Sequence, residues 1–266
     1  MAKRVTLKNN KGQTIVGLLN IPKGKPSFPA VIICHGFKGY KEQLHLQTLA
    51  TELSESSIVA LRPDFTNNIG KSFGKLEDIM FSQELTDLKS IINYLVKQKF
   101  VDKKRIGLVG HSLGGQLILH YAPTDKRVKV LVDLAGPIYR GKGSTNLERS
   151  ANNQMTEAKK TGFFYIFSKK RNRKYKLKLD FYFDLLRHKT PEQVKKIKVP
   201  TLIIHGSKDK TVALKNSRGA YKLLKQPKKL VIIPGAPHTW RGKDDSRGKY
   251  RKKIDRLTVD WFKKYL

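Results

Sequence analysis

Apolar residues in this chain follow two patterns. Short continuous runs recur at Ala30-Val31-Ile32-Ile33-Cys34, Ile58-Val59-Ala60-Leu61, Arg105-Ile106-Gly107-Leu108-Val109, the segment 128–134, the segment 199–204 and Lys229-Leu230-Val231-Ile232-Ile233. Such runs mark strands covered on both faces. Between them the spacing changes. Leu85, Leu88, Ile91, Ile92 and Leu95 recur at helical intervals and predict a helix over 83–98. Helices are also predicted over 42–56, 113–122, 213–224 and about 246–265. Residues 4–21 alternate around Asn9-Asn10-Lys11-Gly12, which predicts an N-terminal hairpin extending one sheet edge antiparallel. Strands alternating with helices predict an α/β fold, with a mostly parallel central sheet flanked by helices.

The rhythm breaks between residues 137 and 190. This stretch is aromatic and basic, with Phe163, Phe164, Tyr165, Phe167, Phe181, Tyr182 and Phe183. It reads as an inserted cap, mostly helical, on a core domain formed by 1–136 and 191–266. An insertion here would lie over the C-terminal strand edges, where open α/β sheets bind ligands. Its aromatics serve both as the cap's own core and as a wall facing the main domain.

One segment carries candidate chemistry. Gly110-His111-Ser112-Leu113-Gly114-Gly115 follows a predicted strand and precedes a predicted helix. Gly-x-Ser-x-Gly in that context forms a nucleophile elbow. A side chain two residues either side of Ser112 would collide with the neighbouring strand or helix. The turn also sets the hydroxyl beside a helix N-terminus, which favours developing negative charge. A serine nucleophile needs a base, commonly a histidine oriented by a carboxylate. In this architecture the order is Ser, acid, His. Asp209 lies in His205-Gly206-Ser207-Lys208-Asp209 after the strand at 199–204. His238 lies in Pro234-Gly235-Ala236-Pro237-His238 after the last strand. Ser112 is thus the candidate nucleophile, His238 the base and Asp209 the orienting acid. Asp133, near the end of the strand after the elbow, is the rival acid or a structural acceptor. Among other histidines, the His111 side chain should point away from the nucleophile, His205 sits at a strand end, and His45, His120 and His188 fall in helical or cap segments. Candidate oxyanion donors are the N–H of Leu113 and that of Phe37, in His35-Gly36-Phe37-Lys38-Gly39 after the strand at 30–34.

These pieces together resemble the α/β-hydrolase superfamily over almost the whole chain. Within it, His35-Gly36-Phe37-Lys38-Gly39-Tyr40-Lys41-Glu42 and a cap after the sixth core strand look like the feruloyl/cinnamoyl esterases and related small carboxylesterases. The resemblance implies a serine esterase acting through an acyl-enzyme. It places the family's roles on Ser112, Asp209 and His238, with Phe37 and Leu113 as oxyanion donors. It implies no metal or organic cofactor and a small-molecule ester as substrate. One departure is visible: Thr66-Asn67-Asn68-Ile69-Gly70-Lys71-Ser72 stands where the family often has Arg-Gly-His-Gly-x-Ser. The competing readings are a monoacylglycerol lipase-like or acylaminoacyl-peptidase-like hydrolase, and a non-catalytic basic binding module.

Composition sharpens the picture in two respects. Among 266 residues, 55 Lys+Arg against 21 Asp+Glu give a net charge of +34, which implies salt-sensitive, nonspecific attraction to polyanions. The excess is concentrated at 169–178 and around Arg247, Lys249, Arg251, Lys252, Lys253 and Arg256 but is otherwise dispersed. That suits a solvated basic surface better than a specific nucleic-acid groove. The single cysteine, Cys34, excludes an internal disulfide and is expected to be buried at a strand end. No apolar run is long enough to cross a membrane, and no apolar signal stretch opens the chain, so the expectation is a cytoplasmic protein. The oligomeric state stays open, a homodimer included.

Overall fold

The structure is a computed structural model that describes residues 2–139, 145–168, 172–225, 227–241 and 248–266. Its main element is an eight-stranded sheet. Strands β1 (Lys3–Lys8) and β2 (Thr14–Asn20) form the antiparallel hairpin that alternation predicts. Next come β3 (Phe28–Cys34), α1 (Leu44–Glu55), β4 (Val59–Pro63), α2 (Phe81–Leu95), β5 (Val101–His111), α3 (Leu113–Tyr121) and β6 (Val128–Leu134). After the inserted segment the core resumes with α7 (Thr190–Val194), β9 (Thr201–Gly206), α8 (Lys215–Leu223), β10 (Lys228–Ile233) and α9 (Lys249–Tyr265). The strand order is β1-β2-β4-β3-β5-β6-β9-β10. The hairpin joins β4 antiparallel at one edge, and all pairings from β4 to β10 are parallel.

The continuous apolar runs arise because the parallel sheet has two buried faces. In β3, Ala30, Ile32 and Cys34 pack into the core on one side, with α2, α3 and α8. Val31 and Ile33 pack into the core on the other, with α1 and α9. Both sets of alternating positions must therefore be apolar, and period-two polarity disappears. The helices carry one apolar stripe each. In α9, Ile254, Thr258, Trp261 and Phe262 are buried while the lysines face outward. Cys34 is fully buried, and desolvation raises its thiol pKa well above the usual value.

The segment after β6 contains α4 (Asn146–Asn153), α5 (Met155–Thr161), β7 (Phe163–Ser168), β8 (Arg173–Lys178) and α6 (Leu179–Arg187). Most of the regular structure of this segment is helical, but its aromatic-basic stretch forms an antiparallel hairpin that the sequence reading did not include. Phe164, Ile166, Tyr175 and Leu177 point inward and are buried, whereas Tyr165, Phe167, Lys174 and Lys176 alternate outward. Two aromatics of β7 lie under cations: Lys174 Nζ is 4.2 Å from the Tyr165 ring centroid and Lys176 Nζ 3.6 Å from that of Phe163. The period of two was hidden because both faces of β7 carry large apolar residues. Of the two basic stretches, Lys169, Lys170, Arg171 and Arg247 lie outside the described residues.

The segment is tied to the core by packing and by polar contacts. Its inward side chains join the same apolar cluster as α2 and α3. Asp184 of α6 accepts from the amide and the hydroxyl of Ser82 at the start of α2, and His188 Nε2 lies 2.9 Å from the same hydroxyl. Phe181 is buried and stacks on Phe37 with ring centroids 5.7 Å apart. That stack presses α6 onto the loop after β3.

Candidate active site

Loops at the C-terminal ends of β3, β5, β9 and β10 meet beneath the inserted segment, around a cavity of about 670 Å³. The β5–α3 turn supplies Ser112, whose backbone sits at φ 57°, ψ −119°. An L-residue adopts this conformation only under constraint. The constraint is visible. The Ser112 amide donates to the Leu134 carbonyl of β6 at 2.9 Å, and the Ser112 carbonyl accepts from Gly115 and Gln116 at 2.9 and 3.1 Å. The flanking glycines are sterically required. A Cβ on Gly110 would lie 2.1 Å from the Gly114 carbonyl oxygen, and one on Gly114 would lie 2.5 Å from the carbonyl oxygens of Cys34 and His35. These are the collisions expected from the sequence.

The loop after β3 closes the other side of Ser112. A Cβ on Gly36 would stand 2.9 Å from the Ser112 Cβ. His35 Nδ1 donates to the Gly36 carbonyl at 2.9 Å while its Nε2 accepts from the Phe65 amide at 3.1 Å. The Gly36 carbonyl also accepts from the Gly39 amide. Phe37 and Leu113 line the cavity together with Ser112. Leu113 is the first residue of α3, so its N–H has no intrahelical acceptor.

Asp209 and His238 come together from the loops after β9 and β10. Asp209 Oδ2 accepts from His238 Nδ1 at 2.6 Å, while Oδ1 accepts from the Thr211 and Val212 amides at 2.7 and 2.9 Å. Burial opposes ionisation of this carboxyl. The bonds from His205 and His238 outweigh it and hold Asp209 well below the usual carboxylate range. The two loops are stitched together as well: the Lys208 amide donates to the Ala236 carbonyl, and the Gly235 amide to the Ser207 hydroxyl. With Nδ1 donating to Asp209, the free nitrogen of His238 is Nε2. His238 and Ser112 line the same cavity, and no hydrogen bond joins their side chains among the described residues. Such bonds commonly tighten only when substrate is bound.

Asp133 occupies a different environment. Its Oδ1 accepts from the Gly136 amide at 2.8 Å. Its Oδ2 is buried without a partner among the described residues, and desolvation pushes the pKa up to about 7. It packs against Gly115 and Gly136, behind the elbow.

Two further histidines make supporting contacts that their positions in the sequence do not disclose. His111 Nε2 donates to the His238 carbonyl at 2.9 Å, with the two rings 4.7 Å apart. Burial, then the neighbouring His238 and His45, keeps the His111 pKa well below normal, so it is a neutral donor. Its side chain is directed to His238 rather than merely away from Ser112. His205 is fully buried. Its Nε2 lies 3.2 Å from Asp209 Oδ2 and 3.0 Å from the Val212 carbonyl, and its Nδ1 lies 2.6 Å from the Ser217 hydroxyl. The His111 contact joins two distant loops, for which spacing along the chain gives no signal, whereas the partners of His205 lie 4 to 12 residues ahead of it. The loop that departs from Arg-Gly-His-Gly-x-Ser is held by Asp64, which accepts from the Lys41 side chain at 2.6 Å and from the Lys41 and Lys71 amides.

Among the described residues no cluster of His, Cys, Asp and Glu is arranged to hold a metal ion. No described helix is long and apolar enough to cross a membrane.

Known proteins place this arrangement in context. A protein of Escherichia coli described as "Uncharacterized 31.7 kDa protein in traX-finO intergenic region" is 26% identical over 277 residues, covering 92% of this chain and 94% of that one. "Putative esterase YitV" of Bacillus subtilis (strain 168) is 26% identical over 275 residues, covering 96% and 98%. Among solved structures, ferulic acid-bound Est1E from Butyrivibrio proteoclasticus superposes with a TM-score of 0.78 at 25% identity, covering 97% of this chain and 98% of that one. The model of the prolyl oligopeptidase family matches residues 57–266. The chain belongs to the prolyl oligopeptidase family and is an esterase-type hydrolase of the α/β-hydrolase fold.

Proposed function

We propose that this protein cleaves carboxylic esters through a covalent acyl-enzyme on Ser112, beneath a lid formed by residues 137–190. The observation that carries the reading is the 2.6 Å bond between Asp209 and His238, on the wall of the cavity that the strained Ser112 turn enters.

Asp209 holds the Nδ1–H tautomer of His238 and stabilises the imidazolium as it forms. Ser112 Oγ attacks the acyl carbon and its proton passes to His238 Nε2. The carbonyl oxygen becomes an oxyanion that accepts from the Phe37 and Leu113 amides, at the positive end of α3. Collapse breaks the ester bond, and the departing alkoxide takes the proton from His238. Water then attacks the acyl-enzyme, again giving its proton to His238, and the acid is released with Ser112 restored. The relatives named as esterases support this chemistry. No step requires a metal or organic cofactor.

Family membership favours a second reading, hydrolysis of an amide or peptide bond by the same residues. Comparing p-nitrophenyl esters with aminoacyl p-nitroanilides separates the two. Ester turnover is expected to dominate, and Ser112→Ala to lower it by about 10⁴-fold. Ester turnover by Ser112→Ala at the unsubstituted rate would refute the assignment.

A further inference from the structure

The wall of the cavity is two-sided. One side is apolar, formed by Phe37, Leu113, Ile166 and Phe167. The other is the helix α4, which contributes Asn146, Arg149, Ser150 and Asn153, with the edge of Leu147 beside them. The polar residues follow the i, i+3, i+4, i+7 pattern and share one helical face. The helix turns Ala151 and most of Leu147 into the apolar core instead. A lid helix above a purely apolar pocket would present the reverse pattern, with its apolar stripe toward the ligand.

Charge adds direction to this polarity. Lys38 and Arg149 both line the cavity, and no Asp or Glu does so among the described residues. Asp209 lies behind His238 and is engaged by His238, His205 and two amides. Arg149 is oriented by Asn146, whose side-chain oxygen accepts from its guanidinium, and by the Lys210 carbonyl at 3.5 Å. The Lys38 ammonium is held 5.4 Å from the centroids of both Phe37 and Tyr175. The net charge of +34 reinforces the sign of the field in the cavity.

We propose that the esters taken by this site are amphipathic and anionic: an apolar part lies along Phe37, Ile166 and Phe167, and a carboxylate or other acidic group meets Arg149 on the polar face of α4. This rests on the ester-hydrolase reading. An uncharged ester engages only the apolar side and leaves the α4 face with water.

The test compares two chromogenic substrates of equal chain length, p-nitrophenyl hexanoate and the mono-p-nitrophenyl ester of adipic acid. The free carboxyl of the latter is ionised at pH 7. In the full-length protein the ratio of kcat/KM, anionic over neutral, is expected at about five-fold in low salt. It should fall toward one as ionic strength rises. Arg149→Gln, a change at an exposed position, should bring the ratio to about one. Ser150→Asp, which sets a carboxylate on the same helical face, should take it below one. A ratio at or below one in the unsubstituted protein, or one that Arg149→Gln does not change, would overturn the proposal and leave the ester-hydrolase reading standing. Failure to turn over either ester would overturn both.

Discussion

At the scale of single residues, the site depends on how one imidazole is held. His238 is fixed at three points: Asp209 at its Nδ1, His111 at its backbone carbonyl, and the ring of His111 against its own ring. Asp209 in turn is fixed by two backbone amides and by His205. The carboxylate therefore stays ionised and oriented through the pH range in which a histidine base works. Asn at position 209 would leave the packing in place but permit the wrong tautomer, with the ring proton on Nε2. Asp209→Asn is accordingly expected to lower kcat by about 10³- to 10⁴-fold with little change in Tm. Stopped kinetics on a p-nitrophenyl ester beside a thermal melt would check this, and near-normal kcat would rule out the orienting role. Asp133 differs in kind: it is pushed up to about 7 by burial and bonded to Gly136 behind the elbow.

At the scale of elements, the β5–α3 turn couples chemistry to packing. It is wedged between β3 and β6, so the position of the Ser112 hydroxyl follows from how closely α3 approaches the ends of both strands. Gly114→Ala would drive a methyl into the carbonyls of Cys34 and His35, which are backbone and have no rotamer to yield. We expect about 3 kcal/mol of destabilisation, read from denaturant unfolding, together with loss of activity in whatever folds. A variant of unchanged stability would contradict this account of the turn. The same elements show what a sequence discloses. The two-sided burial of β3, β5, β6 and β9 leaves continuous apolar runs, and the elbow requires its glycines, so sheet and turn are both readable from residue order. Asp209 and His238 are singled out because each follows a late strand whose end must lie at the same sheet edge. The β7–β8 hairpin was not readable, since Phe163 and Tyr165 face outward beneath lysines and, with Phe167, obscure the alternation. Nor was the role of His111, whose partner lies in a loop that meets it only after folding, or that of His205, whose partners four to twelve residues on reach it through the local path of the chain after β9.

At the scale of the whole molecule, the fold brings the ends of β3, β5, β9 and β10 to one edge and covers them with the segment between β6 and β9. The chain as a whole carries a net charge of +34, so its summed field is positive. The segment between β6 and β9 packs on the core through Phe181 on Phe37, so it rests directly against the loop after β3. All of this matters for catalysis only if Ser112 is an activated nucleophile. Reaction with a fluorophosphonate tests that most directly, because only an activated serine is phosphonylated. Intact-mass and peptide analysis should find one adduct per chain, located on Ser112 and lost on denaturation before labelling. An unlabelled native protein, or an adduct on another residue, would contradict the account.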